Sequence, residues 1–196
     1  MVQERLCKPS FLGSNPRRST QNSHNMKVIN LFAGPGCGKS TTAAALFALL
    51  KRRGLNVEMI TEFAKDLVWT ERNKELGDQI YIFGKMYHKL WRLRDKVDFV
   101  ITDSPLPFCC YYDRENIPYF KELVMSAFNS FDNINFVLVR NFPYQKEGRY
   151  QTEEEVHQDI LQLIADNGIK IDQHIDTTDF DSEYVIEGFL EENKAI

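Results

Sequence analysis

Residues 33–41, Ala33-Gly34-Pro35-Gly36-Cys37-Gly38-Lys39-Ser40-Thr41, set three glycines directly ahead of a lysine and two hydroxyl residues. Such a segment works as an anion-cradling turn only when a strand delivers it and a helix leaves it. Both flanks are present. Val28-Ile29-Asn30-Leu31-Phe32 reads as a short buried strand, with β-branched and aromatic residues and no breaker. Thr41 to Arg53 is rich in helix formers and stops at Gly54. Gly34, Gly36 and Gly38 permit positive φ and close backbone approach. Their N–H groups and the positive end of the helix then form a concave anion site. Lys39 is expected to reach the β- and γ-phosphates of ATP, and the Ser40 hydroxyl to ligate Mg²⁺. Pro35 stiffens the turn, and Cys37 and Thr41 complete the cofactor-binding stretch.

A chain of 196 residues, 43% hydrophobic and 27% charged, suffices for one domain with its own core. The longest apolar run, Ala43 to Leu50, is too short to span a bilayer, and no secretory signal is read, so a cytoplasmic protein is expected. Cys7, Cys37, Cys109 and Cys110 lack metal or redox spacing, and the adjacent pair reads as small core residues in a reducing compartment. The histidines are scattered, so no metal beyond Mg²⁺ is expected. Residues 1–25 are polar and basic, with a net charge of +3, which leaves −7 on the remainder of a chain whose total is −4. They read as a disordered tail, with the domain spanning 26–196.

After the loop helix, strands are expected over 56–61, 97–102, 134–139 and 169–175. Helices are expected over 62–69, 77–94, 119–130, 152–167 and 183–192. In the 77–94 helix, Ile80, Phe83, Tyr87, Leu90 and Arg94 supply the three- and four-residue periodicity, whereas Lys85, His88 and Lys89 read as a solvated face. Thr152 and Glu155 form a capping box, and Gly168 ends its helix. This alternation predicts an α/β fold with a five-stranded parallel sheet between two helical layers.

Three classes of protein share such a loop. The guanine-reading Asn-Lys-x-Asp of GTPases is missing; Asn73-Lys74-Glu75-Leu76 ends in Leu. A ring-forming ATPase places Glu after the third-strand Asp, whereas Asp103 is followed by Ser104. A small kinase needs neither; it needs a carboxylate at the acceptor, cations on the phosphoryl group and a water-excluding pocket. Glu62 follows the second strand at the sheet's carboxyl edge and is the candidate general base. Asp103 is the candidate Mg²⁺ ligand beside Ser40. Arg140 and Arg149, flanking a segment with Gly148, are candidate lid arginines for the transferred phosphoryl. Gln79 and Phe83, a turn apart, are candidates for reading and stacking on an acceptor base. A core role for Phe83 and a slow nucleotide-dependent switch ATPase remain open alternatives.

The stretches Asn30 to Thr42, Thr61-Glu62-Phe63-Ala64-Lys65-Asp66, Gln79 to Lys85 and Thr102-Asp103-Ser104-Pro105-Leu106 resemble the P-loop kinases of the nicotinamide riboside kinase and thymidylate kinase kind. Over about residues 26–190 the spacing looks closer still to bacteriophage members, some of which phosphorylate 5-hydroxymethyluracil in phage DNA. The resemblance implies the three-layer P-loop NTPase fold with the strand order of nucleoside monophosphate kinases. It also implies ATP and Mg²⁺ at Lys39, Ser40 and Asp103, and a nucleoside-type acceptor at Glu62. That acceptor is either a modified base within DNA or a free nucleoside or nucleotide. The acidic body departs from the basic groove that a DNA substrate favours.

Overall fold

The computed structural model describes residues 26–139, 153–178 and 181–196. Among them are five strands, β1 (Lys27–Phe32), β2 (Val57–Ile60), β3 (Phe99–Thr102), β4 (Asp132–Val139) and β5 (Gln173–Asp176). The helices are α1 (Lys39–Arg52), α2 (Phe63–Trp69), α3 (Asn73–Leu76), α4 (Gln79–Trp91), α5 (Phe108–Tyr112), α6 (Phe120–Phe128), α7 (Glu153–Asp166) and α8 (Ser182–Glu192). All strand pairs are parallel, in the order β2-β3-β1-β4-β5.

β1, β3 and the later part of β4 read as apolar runs because helices cover both faces of the sheet, whereas the edge strand β5, Gln173-His174-Ile175-Asp176, buries only Ile175. In β1, alternate residues divide between two cores. Val28 and Phe32 join Ile82, Phe83, Met86, Val124 and Ile160 on the face of α4, α6 and α7. Ile29 and Leu31 join Leu46, Leu50, Ile186 and Leu190 on the face of α1 and α8. Asn30 is the polar exception, and it is satisfied internally. Its Nδ2 donates to the side-chain oxygens of Asn133 and Asn135 on β4, both at 2.9 Å. Asn135 in turn donates to the Lys170 carbonyl at 2.9 Å, so the amides fix the β1–β4 register from within.

Both glycine stops are Schellman motifs. After α1, Gly54 has φ 83° and donates to Lys51, while Leu55 reaches back to Leu50. After α7, Gly168 (φ 59°) donates to Ala165 and Ile169 to Ile164. That exit occupies the residues expected to begin the fifth strand, so β5 starts only at Gln173. The 77–94 helix begins later than expected because Asp78 caps it, its carboxylate accepting from the Tyr81 N–H at 2.9 Å. Its buried stripe is Gln79, Ile82, Phe83, Met86 and Leu90, and Ile80 faces outward. Short α5, absent from the sequence expectations, is wound directly after the Asp103 turn by bonds from Phe108 to Pro105 and Cys109 to Leu106. Thr152 of the expected capping box lies outside the described residues.

The topology positions the site. β1 is central, and the register pairing Asn30 with Thr102 makes Asp103 emerge beside the end of β1. The glycine loop, the β2–α2 turn with Glu62, and the β3–α5 turn all lie at the carboxyl edge of the sheet.

Candidate active site

The loop between β1 and α1 wraps around a cavity. Gly36 and Gly38 take φ of 82° and 77°, a region that L side chains rarely adopt, whereas Gly34 does not take a positive φ. The Lys39 ammonium folds back over the loop and donates to the carbonyls of Ala33 at 2.8 Å and Gly34 at 2.7 Å. The Ser40 hydroxyl donates to Asp103 Oδ2 at 2.5 Å. Asp103 is only 7% exposed, and its other oxygen, Oδ1, is buried without a hydrogen-bond partner among the described residues. A buried carboxylate oxygen left unmatched beside a serine hydroxyl fits a hard divalent cation that takes oxygen donors, which is the chemistry of Mg²⁺.

Two cavities meet here. One, of about 470 Å³, is walled by the loop (Ala33, Pro35, Gly36, Gly38, Lys39, Ser40, Thr41) and by Asp103. The other, of about 760 Å³, runs between α2, α3, the start of α4 and α5, past Leu76, Gln79, Ile82 and Cys109. Glu62, Lys65, Phe108 and Tyr112 line both. Glu62 precedes the first turn of α2 and is half-buried. Burial pushes its carboxyl pKa up, the ammonium of Lys39 pulls it down, Asp103 pushes it up and Lys65 pulls it down. Tyr112 is pushed up to about 12 by burial and by the Glu62 charge, so its phenol stays protonated. Phe108 lies edge-on to Phe32 of β1 at 5.6 Å, and the Lys39 ammonium is 6.0 Å from its ring centre. One ring therefore ties the central strand to both cavities.

Comparison with known proteins agrees with this architecture. The sequence matches no family model and no curated protein. Solved structures do match. Thymidylate kinase from Ehrlichia chaffeensis is similar over 84% of this chain and 99% of its own, with TM-score 0.54 and 15% identity. NadR in complex with NR is similar over 79% of this chain and 44% of its own, with TM-score 0.52 and 16% identity. The Mycobacterium tuberculosis APS kinase CysC with AMPPNP and APS covers 83% of this chain and 96% of its own, with TM-score 0.49 and 15% identity.

The chain has the P-loop NTPase fold. Its five-stranded all-parallel sheet and strand–loop–helix unit are those expected from the sequence.

Within this P-loop fold, Lys39, Ser40, Asp103 and Glu62 are brought together, and Gln79 lines the larger cavity. Gln79 is held there by its Nε2, which donates to the Leu76 carbonyl at 3.1 Å. Phe83 lines neither cavity. Its ring is buried, stacked on Tyr87 at 5.9 Å and edge-on to Phe120 at 5.8 Å, so it is a core residue in this structure. Arg140 and Arg149 lie outside the described residues. Lys89 is not on a solvated face. It is half-buried, donates to the Thr61 carbonyl at 3.1 Å and lies 5.7 Å from the Phe63 ring centre, and burial lowers its pKa. It therefore touches both neighbours of Glu62, the backbone of Thr61 and the ring of Phe63. Burial raises the thiols of Cys109 to about 12 and Cys110 to about 11, so neither is a thiolate at neutral pH. Sequence reasoning missed Lys65, Phe108, Tyr112, Trp69 and Arg114 as cavity residues. Only Lys65 carried a signal, because it lies one turn beyond Glu62.

Proposed function

We propose that this protein is an ATP-dependent phosphotransferase that moves the γ-phosphoryl of ATP to the hydroxyl of a nucleoside-type acceptor. The observation carrying this reading is the wall shared by the two cavities. A carboxylate with opposed influences on its pKa sits where a phosphate-sized, glycine-rich cavity opens into a larger apolar one. Hydrolysis alone would need no second cavity.

The loop amides and Lys39 bind and orient the triphosphate. Its ammonium exchanges the carbonyls of Ala33 and Gly34 for phosphate oxygens. Ser40 and Asp103 would hold Mg²⁺, which supplies charge neutralisation to the phosphates when bound. Glu62 accepts the acceptor's hydroxyl proton as its oxygen bonds to phosphorus and the bond to the β-phosphate oxygen breaks. The apolar wall of Ala64, Leu76, Ile82 and Phe108 excludes water from the reacting oxygen. The cavity of about 760 Å³ has room for one nucleoside.

The finer reading places the acceptor hydroxyl on 5-hydroxymethyluracil in DNA. What supports it is Trp69, 79% exposed where it lines the acceptor cavity, which Arg114 also lines. An open indole face there suits a base adjoining the one inserted. The test is transfer from γ-labelled ATP to a panel of free nucleosides, monophosphates, nicotinamide riboside, plain DNA and hydroxymethyluracil DNA. Label appearing only on the modified DNA supports the finer reading; label on a free nucleoside or nucleotide rejects it and keeps the reaction. ATP turnover unaffected by every acceptor favours the switch ATPase.

A further inference from the structure

The junction between the cavities contains a cation that the loop chemistry does not account for. Among the described residues, Lys39 lines only the phosphate cavity and Arg114 only the acceptor cavity, while Lys65 lines both. Lys65 stands one turn beyond Glu62, so both side chains rise from the same face at the start of α2. Of the residues lining both cavities, Glu62, Lys65, Phe108 and Tyr112, Lys65 is the one cation among the described residues.

We infer that Lys65 is a second phosphoryl-contacting cation, meeting the γ-phosphoryl on its acceptor side while Lys39 holds it on the loop side. The inference rests on the kinase reading. In the transfer, the acceptor oxygen bonds to the γ-phosphorus and its proton passes to the Glu62 carboxylate. The bond from that phosphorus to the β-bridging oxygen breaks, and ADP departs with the electron pair. Charge on the equatorial oxygens then lies between the two ammonium groups.

A second consequence separates this role from simple packing. Glu62 is faced by Lys39 from α1, Lys65 from α2, Asp103 after β3 and Tyr112 from α5, and Lys89 from α4 holds the preceding carbonyl. Burial raises the Glu62 pKa and Lys65 opposes the rise. Removing the Lys65 charge therefore moves the acidic limb of kcat to higher pH.

The test uses the full chain with γ-labelled ATP. The acceptors are 5-hydroxymethyluridine, thymidine, thymidylate, nicotinamide riboside and an oligonucleotide carrying hydroxymethyluracil. The acceptor that the wild type labels is then used for Lys65→Met, Lys65→Gln and Lys65→Arg. We expect both uncharged variants to lose about 100-fold in kcat, with Mg-ATP affinity by calorimetry changed less than about threefold. Lys65→Arg restores most of the loss, and the acid limb shifts upward in the uncharged variants only. Because Lys65 is exposed, melting curves that overlay the wild type are expected and serve as the folding control. Unchanged kcat, or an unmoved acid limb in both uncharged variants, overturns the inference alone. A wild type that labels no acceptor overturns the kinase reading and the inference together.

Discussion

Asp103→Asn should reverse the order of two melting curves. Among the described residues, Asp103 Oδ1 is buried without a partner while Oδ2 accepts from Ser40. Asparagine keeps an oxygen for Ser40 and replaces a buried charge with an amide. A neutral amide costs less to bury, so the variant should gain about 1 kcal/mol without ligand. For a domain of this size that raises Tm by roughly 2–4 °C. Ligand should invert the ranking. At a Mg-ATP concentration about 100 times the wild-type Kd, binding stabilises the wild type by about 2.7 kcal/mol, or roughly 5–11 °C. If losing the carboxylate weakens Mg-ATP by about 100-fold, the same concentration gives the variant only about 0.4 kcal/mol. Differential scanning calorimetry in four conditions checks this: each protein with Mg-ATP and with ATP plus EDTA. The variant should melt higher in EDTA and lower in Mg-ATP. A Mg-ATP shift in Asp103→Asn equal to that of the wild type would refute the assignment of this carboxylate to the cation.

Glu62→Gln should lower kcat by about 10²–10⁴-fold while leaving the Mg-ATP melting shift in place; a variant retaining wild-type turnover removes Glu62 as the base. The same substitution has a stability signature. Burial raises the Glu62 pKa, so the folded state binds a proton more readily than the unfolded chain. The group then costs stability as pH rises through its folded pKa, and Glu62→Gln should out-melt the wild type at pH 7 but not at pH 4. Lys39→Ala should abolish both transfer and the Mg-ATP melting shift, read by label transfer and calorimetry. Asn30→Ala strands the buried side-chain oxygen of Asn135 and takes a partner from that of half-buried Asn133. It should cost about 2–4 kcal/mol in urea unfolding, with the m-value unchanged.

The strand–loop–helix unit was legible because β1 and α1 are local and their signals strong. An unbroken apolar run, glycines at fixed offsets and a glycine stop each have one inexpensive conformation. Glu62 and Asp103 were legible for a related reason: both follow strands, and strand ends in a parallel sheet converge on one edge. The larger cavity was not. Its walls come from α2, α3, α4 and α5, and α5 is too short for any periodicity to announce it. Lys65, Phe108 and Tyr112 meet only because the β2–α2 and β3–α5 turns are neighbours in the folded sheet. The inward stripe of α4 was misassigned at Ile80 because Ile80 and Ile82 are equally apolar, and only the Asp78 cap fixes the phase of that helix. Phe83 shows the same ambiguity. Aromatics a turn apart suit a base or a core, and packing against Phe120 decides for the core.

Among the described residues, those lining both cavities fall in two short segments, 62–65 and 108–112, while Leu76, Gly77 and Trp69 line the larger cavity alone. Under the proposed kinase reading, changes at those three residues retune which molecule is admitted without touching the residues shared with the phosphate cavity. A scaffold divided in this way can diversify in clientele while its chemistry stands still.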